Sequence, residues 1–182
     1  MIHSAIEIIT EPAITPADDR AIRALLCECF LGEEYASFRE SRYWHDSAPA
    51  FTALFREGDR VSGHVGVVIR GIRCDGQPTT VAGVQNVAVT PHLRRTGISH
   101  ELMQKAMAEA ARRGIRFGML FCFPGLERLY GSLGWCRVEA SVTMIDDSGE
   151  ATPIDPRNIT MVKGLASEQF AAKEIDLAGP DW

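Results

Sequence analysis

The chain has 182 residues, 46% hydrophobic and 24% charged, with 19 Lys and Arg against 24 Asp and Glu and a net charge of −5 at pH 7. Those values fit one soluble globular domain over residues 1–182 with a sizeable core, and the scattered positive charges form no stripe that would hold a nucleic acid. No run of about 18 apolar residues is present to cross a membrane, and Met1-Ile2-His3-Ser4-Ala5 lacks the basic start and apolar core of a signal peptide, so the expected location is cytoplasmic.

In chain order, Ile6 to Thr10 reads as a short first strand. Thr15 is a suitable N-cap for a helix that opens at Pro16-Ala17-Asp18-Asp19 and runs through Phe30. Gly32 to Asp46 is polar and aromatic and reads as a second helical or loop segment. Phe51 to Arg56 and Val61 to Cys74 read as strands joined by a hairpin turn at Glu57-Gly58-Asp59-Arg60. Asp75-Gly76 marks another hairpin, into a strand from Thr80 to Thr90 that Pro91 ends. The next helix carries Ile98, Leu102, Met103, Ala106, Met107 and Ala110 at three-to-four spacing, which makes one buried face. It stops at Arg112-Arg113-Gly114, with cations at the negative helix end and a glycine to leave it. Ile115 to Phe123 is apolar and nearly continuous, as in a strand covered on both faces. Cys136 to Ile145 and Asn158 to Lys163 read as the final strands, separated by a polar loop from Asp146 to Arg157. The layout is α/β, without internal repeats or a linker. Cys27, Cys29, Cys74, Cys122 and Cys136 are odd in number and lack C-x-x-C or zinc spacing, so free thiols in a reducing compartment and no metal site are expected.

The stretch from Gln85 to Trp135 carries the chemistry. A strand that ends in a basic, Gly-containing turn and opens directly into a helix aims free backbone N–H groups at one point. The helix N-terminus adds partial positive charge there, which makes an anion site. Arg94 and Arg95 add full charges suited to a phosphate. Tyr130 follows where the chain turns back toward the sheet.

These segments resemble the GNAT acetyltransferase superfamily. Arg94-Arg95-Thr96-Gly97-Ile98-Ser99 is similar to its pyrophosphate loop (Arg or Gln, x, x, Gly, x, Gly or Ala), with Ser99 small enough to keep the close approach of backbone to phosphate. Leu129-Tyr130-Gly131-Ser132-Leu133-Gly134-Trp135 looks like its second, aromatic-rich signature. The resemblance implies a central mixed, mostly antiparallel, twisted sheet of about six or seven strands flanked by helices. It also implies an acetyl-CoA-dependent N-acetyltransferase. The pantetheine arm would pair with Val87, Ala88 and Val89 like a missing strand. Arg94, Arg95, Thr96, Gly97, Ile98 and Ser99 would take the pyrophosphate, and the Val87 N–H would meet the developing oxyanion.

Tyr130 matches the family's general acid. A phenol of ordinary pKa about 10 stays protonated beside a departing thiol of about 8.5. The base is open. Where some relatives carry a Glu, this chain has Gln85. His64, Glu33, Glu34, the terminal carboxylate of Trp182 and a water chain are the alternatives, and His64, mid-strand, reads first as a structural histidine.

The run from Val61 to Trp135, with the tail Ile175-Asp176-Leu177-Ala178-Gly179-Pro180-Asp181-Trp182, is similar to the aminoglycoside 2′-N-acetyltransferases. That resemblance implies an amine pocket of Glu33, Glu34, Trp44, Gln85, Asn86, Asp181 and Trp182, suited by charge to a polycationic amino sugar and hence to antibiotic resistance. Thr96-Gly97-Ile98-Ser99-His100 also resembles a segment of the nodulation acyltransferases, which move a fatty acyl group onto a chito-oligosaccharide amine; the donor on that reading is not acetyl-CoA. A non-catalytic acyl-CoA sensor is the third reading. Exposed strand edges and the tail leave room for a homodimer.

Overall fold

The structure, a computed structural model, describes residues 6–182; Met1 to Ala5, read above for a leader, lie outside them. The chain runs β1 (Glu7–Thr10), α1 (Pro16–Cys29), a 3₁₀ segment (Glu33–Arg39), β2 (Phe51–Glu57), β3 (Arg60–Cys74), β4 (Gln77–Val89) and α2 (Ile98–Arg112). It continues with β5 (Phe117–Cys122), α3 (Glu127–Ser132), β6 (Cys136–Val138), β7 (Ser141–Ile145), β8 (Ala151–Pro153), β9 (Ile159–Gly164) and β10 (Glu174–Asp176).

Local chemistry explains the helices. Thr15 and Asp18 form a reciprocal capping box: the Thr15 hydroxyl accepts from the Asp18 N–H at 3.1 Å, and the Asp18 carboxylate accepts from the Thr15 N–H at 3.0 Å. Pro16 occupies the first turn, where its missing N–H costs nothing. Helix α2 buries Leu102, Met103, Ala106, Met107 and Ala110. At its far end Arg112 and Arg113 both reach Glu109, and Gly114 takes φ +81 to leave the helix.

The ten strands of the described residues join one sheet, in the order β6-β9-β5-β4-β3-β10-β7-β8, with β2 beside β3 and β1 beside β2. Among the described residues, only β4–β5 and β10–β7 pair in parallel. The long β3 takes β2 along its first half and β10 at its end, so it organises the sheet. Strand alternation then divides the core. Phe51, Ala53 and Phe55 of β2 pack under α2, together with Val65, Val67, Ala82 and Val84. Leu54 faces the other side and meets Ile22, Leu25 and Leu26 of α1. A second core on the sheet gathers Val68, Ile72, Val81, Phe117, Met119, Val142, Ile175 and Trp182. Each fully buried Leu, Ile, Val or Met contributes about 1.5–3 kcal/mol, so these faces outweigh any surface pairing.

The mostly antiparallel mixed sheet agrees with the sequence reading, but it has more strands than the expected six or seven. Cys136 to Ile145 is not one strand. It breaks at Glu139-Ala140; β6 joins β9, while β7 crosses to pair with β10 and β8. The corner lets Val138 and Val142 share the second core from both sides of the curled sheet. Strands β8 and β10 have three residues each, too short to show a period.

His64 is fully buried on β3, and its Nδ1–H donates to the Asn86 carbonyl at 2.7 Å. Burial, aided by the Arg42 cation and opposed by that hydrogen bond, pulls its pKa from 6.5 to about 4. The unfolded chain therefore binds this proton first as pH falls, and native stability held above pH 6.5 is lost toward pH 4. Urea unfolding at pH 7 and pH 4.5 should show His64 alone removing about 2–3 kcal/mol between the two, with a correspondingly flatter pH dependence in His64→Gln. Equal slopes for the two proteins would refute this.

Candidate active site

Strands β4 and β5 pair only from Val81–Gly83 against Phe117–Met119, and beyond that point they part. Strand β5 continues with β9 through Cys122, whereas β4 keeps β3 as its partner on the other edge. Two features hold the gap. Asn86 takes φ +54 at a register shift between β3 and β4, a bulge that bends β4. The Trp182 indole lies on Gly83: a Cβ there would sit 2.2 Å from the ring, so only glycine admits it. Phe121 packs on Trp182 at 5.3 Å and the Arg70 guanidinium lies over its ring at 5.3 Å.

Beyond the gap β4 ends at Val89, and residues 90–97 lead into α2. Arg94 and Arg95 are exposed, Arg95 has φ +67 and Gly97 has φ +96. Among the described residues no side chain caps the first turn of α2, and the space over Gly97 is open. The N–H groups of Leu93, Arg94 and Thr96 donate within the turn, and the uncapped start of α2 opens beside the exposed Arg94 and Arg95, an arrangement that suits an anion. Cys29 of α1 donates to the Val89 carbonyl at 3.4 Å and tethers α1 to the end of β4.

The gap opens into a cavity of about 430 Å³. Tyr130 lines it; the residue is 7% exposed, and its ring packs edge-on to Trp135 at 6.4 Å. Burial, reinforced by Cys122, raises the phenol's pKa well above its ordinary value. Cys122 is itself pushed up to about 11, mainly by burial and then by Glu127. Both groups stay protonated at neutral pH, so Tyr130 can give a hydrogen bond or a proton and cannot start as a base.

The same cavity is lined by Glu34, Trp44, Gln85, Asn86, Val87, Asp181 and Trp182 of the sequence-derived set. Glu33, Ala88 and Val89 do not line it, and neither does His64, which is buried under the Asn86 bulge. The Gln85 amide is occupied: its Oε1 accepts from the Trp44 N–H at 3.1 Å and its Nε2 donates to the Ser47 carbonyl at 2.6 Å. Asn86 Nδ2 donates to the Arg42 carbonyl at 3.2 Å. Both side chains thus fix the loop that carries Trp44 and His45, and among the described residues Asn86 Oδ1 has no partner.

His45, Asp155 and Arg157 also line the cavity and were missed in the sequence. His45 adjoined a residue already singled out, a usable signal; Asp155 and Arg157 lay in a stretch read only as loop. With Glu34 and Asp181, Asp155 gives the cavity three carboxylates, and Arg157 is its paired cation at 2.6 Å from Asp155. Burial raises the pKa of Asp181, while His45 and Arg70 oppose the rise.

Comparison with known proteins gives the family. Residues 13–138 match the acetyltransferase (GNAT) domain. The chain belongs to the GNAT acetyltransferase family. It is 34% identical over 157 residues to nodulation protein A of Bradyrhizobium sp. (strain ANU 289), covering 79% of this chain and 74% of that one. Among solved structures, the GNAT N-acetyltransferase YhbS of Escherichia coli in complex with CoA has a TM-score of 0.64 at 17% identity, covering 95% of this chain and 89% of that one. ElaA of Escherichia coli has a TM-score of 0.62 at 16% identity, covering 87% and 99%. The GNAT fold is therefore established, and with the family come acyl transfer and dependence on an acyl-CoA. The parted strands and uncapped α2 turn of this GNAT domain fit such a cofactor.

The Gly83–Trp182 contact is testable by itself. Gly83→Ala should cost about 1–3 kcal/mol of unfolding free energy, and the cost should shrink in the double variant Gly83→Ala/Trp182→Leu. Additive losses in urea melts would show that the two residues do not press on each other.

Proposed function

We propose that this chain transfers an acetyl group from acetyl-CoA directly to a primary amine of a small amino sugar, with aminoglycosides as the leading class. One observation carries the reading: the protonated Tyr130 phenol shares a single cavity with the carboxylates of Glu34, Asp155 and Asp181, at the point where β4 and β5 part. The bound cofactor supplies an activated thioester. The turn of Arg94, Arg95, Thr96, Gly97, Ile98 and Ser99 would receive its pyrophosphate, and the edge of β4 at Val87, Ala88 and Val89 would hydrogen-bond its arm. The Val87 N–H, next to the bulge, would stabilise the charge that develops on the thioester oxygen, and Tyr130 would give its proton to the departing sulfur.

The carboxylates concentrate a cationic amine in the cavity, and Trp44 and Trp182 give flat surfaces for a sugar ring. Asn86 Oδ1, buried without a partner among the described residues, is an acceptor for an N–H donor.

A second reading has its own support. Phe123, Leu126 and Leu129 are 44%, 40% and 47% exposed, and the first two line the cavity, so an apolar shelf continues from the site to the surface. Together with the nodulation protein A relative, the shelf favours a longer acyl chain and an oligosaccharide amine.

A thiol-release assay separates these. Acetyl-CoA and a long-chain acyl-CoA would each be offered with 2′-amino and 2′-hydroxyl aminoglycosides, a polyamine and a chito-oligosaccharide bearing a free amine. Turnover of acetyl-CoA with 2′-amino aminoglycosides only is the expected result; preference for the long donor with the chito-oligosaccharide would transfer the assignment to the second reading. Silence with every acceptor, with CoA still bound, would contradict both. In the active pair Tyr130→Phe should lower kcat by about 10²-fold or more and leave the CoA Kd within about twofold.

A further inference from the structure

Direct transfer to an amine needs a way out for a proton, and the sequence leaves the base unassigned. Asp181 and His45 both line the cavity, and the Asp181 Oδ1 stands 3.1 Å from His45 Nε2, an ion-pair contact outside hydrogen-bond geometry that a small turn of the imidazole would align. His45 Nδ1 faces Asp147 at 3.5 Å. The three side chains step outward: Asp181 is 22% exposed, His45 35% and Asp147 88%. His45 also holds φ +42, a left-handed conformation that strains a residue with a Cβ and recurs at functional sites. Its loop is fixed from below by the Gln85 amide, through the Trp44 N–H and the Ser47 carbonyl, and Ser47 in turn donates to the Asp181 carbonyl at 2.6 Å.

We propose that Asp181 and His45 form the proton exit of the amine site. The Asp181 carboxylate takes a proton from the substrate ammonium, and His45 passes it to Asp147 and bulk water. This rests on the amine reading above. The balance closes: one proton leaves R–NH₃⁺ through Asp181 and His45, and the neutral amine attacks the thioester carbonyl. As the C–N bond forms and the C–S bond breaks, Tyr130 protonates the sulfur, and the second nitrogen proton returns through solvent to the phenolate. The products are an amide, CoA thiol and one released proton.

The charged surroundings suit the task. Arg70 of β3 faces Asp181 and favours its ionised form against burial. Glu34, Asp155 and Arg157 share the cavity, with Arg157 held by Asp155. Tyr130 stays a phenol at neutral pH, and the buried His64 stays neutral there and lies outside the cavity, so neither serves as this first acceptor.

The test uses the full chain with acetyl-CoA and whichever acceptor in the panel above turns over. His45→Gln should lower kcat at pH 7 at least tenfold with the KM for acetyl-CoA within about twofold. The deficit should narrow toward pH 9, where solution supplies free amine. His45→Gly suits the positive φ, and exogenous imidazole should restore a large part of its rate. CoA calorimetry on each variant shows that the cofactor half is folded. A wild-type rate and pH profile in His45→Gln, or a loss that imidazole and high pH leave unchanged, would overturn the relay while the amine reading stands. No turnover by the wild type with any amine would overturn the reading and the relay together.

Discussion

Everything at this site depends on β4 and β5 separating after three paired residues. A parallel pair that continued would satisfy its own backbone groups and close the sheet. Instead, the Asn86 bulge bends β4, and an indole pressed on Gly83 occupies the fork. The exposed strand edge is a liability in most proteins because its N–H and C=O groups are unpaired. Here it faces a cavity inside the molecule, where an extended ligand can supply the missing partner.

The two halves of the site use different physics. The α2 turn is electrostatic, with an uncapped helix start and two arginines in solvent, where salt weakens it. The cavity works through burial, which keeps Tyr130 and Cys122 protonated and pushes Asp181 upward. One region can thus hold a proton donor and a carboxylate at one pH, because burial raises a phenol and a carboxyl group whose ordinary values lie about six units apart.

Much of the fold was legible because its signals are local. The hairpin at Asp75-Gly76 takes φ +48 and +78, and the capping box at Thr15 and Asp18 starts α1 where the residues say it should. The break at Glu139-Ala140 was not, because the partners of β6 and β7 lie at opposite ends of the sheet. Strand β10 is likewise set from afar: the Asp75 carboxylate accepts from the Lys173 and Glu174 N–H groups at 3.0 and 2.9 Å. In the site, Tyr130 and the Arg94–Ser99 turn stood out through motif, and the tail residues Asp181 and Trp182 through resemblance. His45, Asp155 and Arg157 reach the cavity from irregular segments with no period or motif.

Hydrogen exchange with and without CoA tests the central claim most directly. If the parted strands hold the donor, CoA should slow the amides of Val84–Val89 that face the gap, together with those of Gly97, Ile98 and Ser99. Amides in β7 and β8 should exchange as before. Saturating CoA that leaves the β4 edge and the α2 turn unprotected would contradict the account.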